Sequence, residues 1–335
     1  MTKAIDIHTH IIPLEFINAA RKNGDRLEVK IDTTEKEGHF MVRHSQGFAY
    51  PVPPMFYDLT TRLQEMQRRR LSHEVLSVSP TLYYYWSDIS IASEVARLCN
   101  NNLKEWIQAS PDHFQAFGMV PMQDCKSAIS ELEYVMSQLG FVGVEIGGVI
   151  EGTPIADSSY LPFFEAAESL KAVISIHPYA FFGSRSGLER HYLSNLIGNP
   201  LETSITISLL ILEGVFEKYP KLRLIAAHGG GYLPYGIGRI DHGHRVRKEV
   251  GPGISSDPSV YLARNVYCDC ITHDPKALVY LKNRLGLSQV VLGSDYPFDM
   301  DLDDPVGFIE QNPELTEVEK KAILAENWEQ LQANL

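Results

Sequence analysis

The chain has 335 residues, of which 44% are hydrophobic and 21% charged, so it can bury a large core. Its net charge of −12 speaks against a nucleic-acid surface, which needs a basic patch to meet phosphate. Four cysteines, Cys99, Cys125, Cys268 and Cys270, form no CxxC pair and are too few for a disulfide framework. They suggest a reducing compartment. With no apolar leader in MTKAIDIHTH and no window of 18 apolar residues, the cytoplasm is the expected location.

In chain order, short apolar or β-branched runs alternate with longer helical patterns, which predicts a parallel sheet covered by helices. The predicted strands cover residues 4–12, 74–80, 114–121, 142–148, 173–178, 222–230, 266–270 and 290–297. Between them fall predicted helices over 59–70, 89–110, 127–139, 160–169, 201–217, 232–246 and 275–285, with a last one over about 317–332. Eight strands with seven intervening helices point to a (β/α)8 barrel, an α/β fold of about 250 residues before insertions. The expectation is one barrel domain over 1–335.

Residues 13–58 break the rhythm. They carry strand-like runs at 27–31, 40–42 and 48–52, and the prolines of Tyr50-Pro51-Val52-Pro53-Pro54 hold the chain extended. A long segment after the first strand of a barrel lies on the face where barrels place their sites, so a lid-like β insertion is expected there.

His8-Thr9-His10 puts two imidazoles on one side of the first strand, near its C-terminal end. Alone, such a pair is a weak signal. His177 ends the fifth strand in Ile174-Ser175-Ile176-His177-Pro178, His228 ends the sixth before three glycines, and Asp295 ends the eighth in Gly293-Ser294-Asp295-Tyr296-Pro297. Each could be a hydrogen-bonded strand end. Together, on one predicted face, they read as a site for a divalent ion that favours imidazole and carboxylate. Glu145, in the fourth strand, is a weak candidate to bridge a second metal, so one ion per chain is expected. Cys268 and Cys270, flanking Asp269, read as small buried side chains.

The HxH pair, the later histidines and the terminal Asp resemble the amidohydrolase superfamily. The strings HGGGYLPYGIGRIDHGHR (228–245) and LGSDYPF (292–298) resemble its branch of non-oxidative aromatic acid decarboxylases, which contains α-amino-β-carboxymuconate-ε-semialdehyde decarboxylase. The likeness runs from IDIHTHIIP to AENWEQL. It implies that His8, His10, His177 and Asp295 hold the ion, zinc by expectation with manganese or cobalt as alternatives. It implies that His228 is the acid/base residue, with Asp295 also at the reacting centre. It further implies that Arg239 reaches into a neighbouring subunit and binds substrate carboxylate, so a homodimer or larger homo-oligomer is expected. Read on its own, Arg239 could equally be a surface arginine paired with Asp241 or Glu249.

One departure matters. The family's second carboxylate-binding arginine has no counterpart in Gln46-Gly47-Phe48-Ala49-Tyr50-Pro51; Arg43 and His44 are offset. A ring acid with one carboxylate, a hydroxylated benzoate or picolinate, is therefore the expected substrate. Tyr83 to Trp86, Tyr179, Phe181, Phe182 and Phe298 could wall a flat ligand, with Tyr85, Trp86, Tyr179 and Phe298 as the chosen contacts, although packing between loops explains them equally well. A hydrolase opening a lactone or amide with the same metal remains the alternative, since its chemistry needs the same groups.

Overall fold

The computed structural model describes residues 3–179 and 187–335. Eight parallel strands run in chain order around one sheet: β1 (Ile5–Ile11), β2 (His73–Val78), β3 (Phe114–Met119), β4 (Gly143–Ile146), β5 (Val173–Ile176), β6 (Arg223–Ala226), β7 (Val266–Asp269) and β8 (Val290–Val291). The segment after β8 closes the ring on β1. Ile7 N donates to Leu292 O (2.9 Å), Asp295 N to His8 O (2.8 Å) and His10 N to Tyr296 O (2.7 Å). The fold is a (β/α)8 barrel. Several covering helices begin on an aspartate side chain that accepts a free backbone N–H, as Asp58, Asp88, Asp124 and Asp274 do.

The barrel interior has two halves. Its lower half is apolar: Ile5, Ile7, Val75, Phe117, Val173, Ile225 and Val291 pack together, and Trp328 of the C-terminal helix plugs that end. Its upper half is polar, and β1 shows how the change is made. Ile5 and Ile7 point inward, whereas Ile11 packs in the outer layer against the helices. The pairing of β1 with β2 slips between Asp6 and Thr9, where one extra residue is inserted in β1. A bulge of one residue exchanges the two faces of a strand. His8 and His10 are thereby turned into the barrel, following two inward isoleucines of the opposite parity.

Some elements differ from expectation. The sixth and eighth strands are shorter than predicted; the chain turns left-handed at His228 (φ 56°), just beyond β6, and at Asp295 (φ 68°), four residues beyond β8. The expected 201–217 helix is two, Asn199–Leu212 and Val215–Lys218, parted by Gly214 at φ 75°. Helices Leu14–Asn23 and Pro258–Asn265 were not anticipated. The first sits inside the 13–58 segment and buries Phe16, Ile17 and Ala20, at helical spacing. Beyond it, Val29–Thr33, Phe40–His44 and Ala49–Val52 form a three-stranded antiparallel sheet.

Candidate metal centre and active site

His8, His10, His177 and Asp295 come together at the C-terminal mouth of the barrel, all buried, with one ligand atom of each within 4.8 Å of the others. His8 Nε2 lies 3.1 Å from His10 Nε2, and Asp295 Oδ1 lies 3.1, 3.4 and 3.9 Å from the Nε2 atoms of His10, His8 and His177. Ligands each about 2.1 Å from one ion in a tetrahedron are about 3.4 Å apart, so the spacing suits a single cation.

The other ring nitrogens explain the aim. His8 Nδ1 donates to Asp269 Oδ2 (2.7 Å) and His177 Nδ1 to Pro178 O (2.8 Å). His10 Nδ1 meets Ser77 Oγ (2.9 Å), whose own proton goes to Thr9 O (3.0 Å). With every Nδ1 protonated and held, every Nε2 keeps its lone pair for the centre. His177 Nε2 is buried with no hydrogen-bond partner among the described residues, which fits a metal ligand. Burial pushes the His177 imidazole down to about 4. Burial also opposes charge on His8 and Asp295, yet their neighbours outweigh it: Asp269 and Asp295 hold His8 above its usual range, and the histidines hold Asp295 well below its own.

His228 stands at the edge of this cluster. Its Nε2 lies 3.4 Å from Asp295 Oδ2, the oxygen turned away from the other three histidines, and its ring is less buried than theirs. Beside it opens a cavity of about 440 Å³ lined by His177, His228, Asp295, Tyr179, Phe298 and Phe48 among others. A second chamber of about 550 Å³ shares His228 and Asp295 and runs out past Tyr232, Tyr235 and Tyr280.

The expected substrate contacts divide. Tyr179 and Phe298 line the cavity. Tyr85 and Trp86 do not. Tyr85 is buried behind Tyr179, its hydroxyl accepting from Gly147 N (3.2 Å), and Trp86 donates to Glu28 (3.1 Å) while packing on Tyr84, Phe48 and His44. Phe181 and Phe182 lie outside the described residues. Arg239 is exposed on the Leu233–Val246 helix and lines neither cavity of its own chain. The surface pairing expected as its alternative is not made: Asp241 accepts from Ser259 N, and Glu249 pairs with Arg247. Arg43 is tied to Asp32 (2.9 Å), and His44 stacks on Phe48; neither lines the cavity. Glu145 accepts from Tyr83 (2.9 Å) and Ser175 (3.1 Å) and stands outside the four-residue cluster. The cysteines are free. Asp269 and Ser77, which orient two of the ligands, were not singled out in the sequence. The available signal for Asp269 was a lone carboxylate inside an apolar strand.

The fold and the cluster define a metal-binding barrel of the amidohydrolase kind. The amidohydrolase family model matches residues 5–331, and the chain belongs to that family. It is 33% identical over 325 residues to 2-amino-3-carboxymuconate-6-semialdehyde decarboxylase of Dictyostelium discoideum, covering 96% of this chain and 89% of the relative. It is 28% identical to gamma-resorcylate decarboxylase of Polaromonas sp., covering 79% and 87%. The crystal structure of a dihydroxybenzoic acid decarboxylase from Polaromonas sp., with bound manganese and the inhibitor 2-nitroresorcinol, superposes with a TM-score of 0.80 at 22% identity, covering 99% of this chain and 97% of that one. Among the described residues, no helix is long and apolar enough to cross a membrane.

Proposed function

We propose that the chain is a metal-dependent, non-oxidative decarboxylase, a carbon–carbon lyase acting on a hydroxylated benzoate- or picolinate-like acid. The observation that carries this reading is a cavity onto which His177 and Asp295 of a three-histidine, one-carboxylate cluster open beside a separate imidazole and aromatic walls. The decarboxylase names of the relatives support it. His8, His10, His177 and Asp295 hold one divalent ion. Zinc suits this donor set, and the manganese of the Polaromonas structure makes that ion an equal candidate.

When bound, the ion supplies positive charge that grips carboxylate and hydroxyl oxygens of the acid. Tyr179 and Phe298 present apolar faces to the ring. His228 delivers a proton to the ring carbon that bears the carboxylate. The carbon–carbon bond then breaks, its electron pair returns to the ring, and CO2 leaves. Asp295 Oδ2 orients His228 for that transfer.

Arg239 belongs to this reading as a contribution from a second copy. It shares a helix face with Tyr235, four residues before it and 84% exposed, at the rim of the chamber that opens beside His228. A homodimer that buries this face supplies the substrate carboxylate with a cation. Phe48 lines the cavity, which supports a lid role for the 13–58 segment of a single barrel domain. The free cysteines suit a cytoplasmic enzyme.

The test is a panel of hydroxybenzoates and hydroxypicolinates offered to metal-loaded protein. Release of CO2 with a matching ring product is expected, and chelation should abolish it. In ¹⁸O-labelled water, label retained in a ring-opened product without CO2 would instead show a hydrolase.

A further inference from the structure

We infer that Asp269 is a positioning residue that ties the metal ligand His8 to His228, so that a single carboxylate sets both the ion's cage and the proton-moving group. The inference rests on the role proposed for His228. Asp269 ends β7 and is fully buried, outside both cavities. Its Oδ2 accepts from His8 Nδ1 (2.7 Å) and from the backbone N of His228 (2.8 Å). Its Oδ1 accepts from Gly229 N (2.7 Å) and Ile271 N (3.0 Å). One oxygen therefore touches both histidines.

The backbone around it is built for this grip. His228, Gly229, Gly230 and Gly231 are all left-handed, at φ 56°, 62°, 73° and 62°. A left-handed conformation is uncommon outside glycine, and here the contacts to Asp269 hold it. Here the successive N–H groups of His228 and Gly229 converge on the carboxylate, as they would on a bound anion. Gly230 and Gly293 keep the space clear. A Cβ at Gly230 would lie 2.8 Å from Cys268 Sγ, which floors the turn. A Cβ at Gly293 would lie 2.8 Å from the Cβ of Asp269 and 2.9 Å from that of His8, prising the pair apart.

Asp269→Asn keeps the shape but cannot accept from all four donors. Competition with a chelator for Zn²⁺ or Mn²⁺ alone should show affinity roughly 10- to 100-fold weaker. The imidazole resonances of His228, assigned by their loss in His228→Ala, should also move in the metal-saturated protein. On an accepted acid from the panel, kcat at saturating metal should fall at least about tenfold, and combining Asp269→Asn with His228→Ala should add no further loss of kcat. Unchanged metal affinity would overturn the inference. So would an unmoved His228 resonance, full recovery of kcat at saturating metal, or losses that multiply in the double variant. The metal and resonance measurements need no substrate, so they read this proposal even if no acid on the panel is decarboxylated. Should Asp269→Asn not fold, Gly293→Ala displaces the same contact without removing the carboxylate. It should weaken the metal and move the His228 resonance in the same way; leaving both unchanged would contradict the inference.

Discussion

The metal cluster and the outer face of the Leu233–Val246 helix lie side by side, yet they are finished to different degrees. In the cluster each histidine has its second nitrogen held by the chain itself, through Asp269, Ser77 or the Pro178 carbonyl. On the helix face Tyr235 is 84% exposed beside half-exposed Tyr232 and Tyr280, and Arg239 makes no ion pair among the described residues. Exposed aromatics gathered at a site mouth mark a surface that meets something else. The contrast teaches that the ion's cage is oriented by contacts within one chain, whereas the exposed helix face is where the proposed second copy would dock.

The comparison breaks most completely at the cage. His177→Ala or Asp295→Ala should remove most of the metal and all metal-dependent turnover. Elemental analysis should fall from about one divalent ion per chain to near none; two tightly held ions in every unaltered chain would contradict a single cage. His228→Ala comes next. It should leave the ion in place and cut turnover by roughly 10²–10⁴, the usual size of a general acid–base contribution. Loss of metal in step with activity would make His228 a ligand.

Arg239→Ala sharpens the other side of the comparison. Losing one charge-assisted contact to the substrate should lower kcat/KM about 10- to 100-fold with the metal unchanged. Mixing Arg239→Ala chains with His228→Ala chains should then restore roughly a quarter of the unaltered activity. Half the dimers are mixed, and each has one intact site of two. No recovery after confirmed exchange of subunits would place Arg239 in the service of its own chain. The smallest effect is expected at Phe298→Ala, where loss of an aromatic face worth about 0.5–1.5 kcal/mol should raise KM roughly 2- to 10-fold without changing metal content.

These effects track how much could be read from residues alone. The eight strands were legible because apolar runs recur between helical patterns, and the cage residues because His177 and Asp295 follow such runs while His8 and His10 share one side of the first. The bulge in β1 was not legible. His8 and His10 share a side in any strand, but only the register slip between Asp6 and Thr9 puts that side inside a barrel whose earlier residues, Ile5 and Ile7, also point in. Run length misled at β6 and β8, since apolar sequence runs on through Ala227 and Leu292, and the left-handed turns that follow at His228 and Asp295 come from contacts far along the chain. Asp269 escaped for the same reason: its partners His8, His228 and Gly229 are remote in sequence, and nothing local distinguishes its carboxylate from a buried structural one. Tyr85 and Trp86 belong to an aromatic run whose side chains pack behind Tyr179 and against Tyr84, and only packing decides that direction.

The most direct test of a decarboxylase built on this cage is turnover of an accepted hydroxylated acid in D2O, with the product read by NMR and mass spectrometry. The account predicts one CO2 per product and one deuterium at the ring carbon that carried the carboxylate, in metal-loaded protein only and with the rate lost in His228→Ala. Product formed without CO2, or CO2 released equally by metal-free or His228→Ala protein, would contradict it.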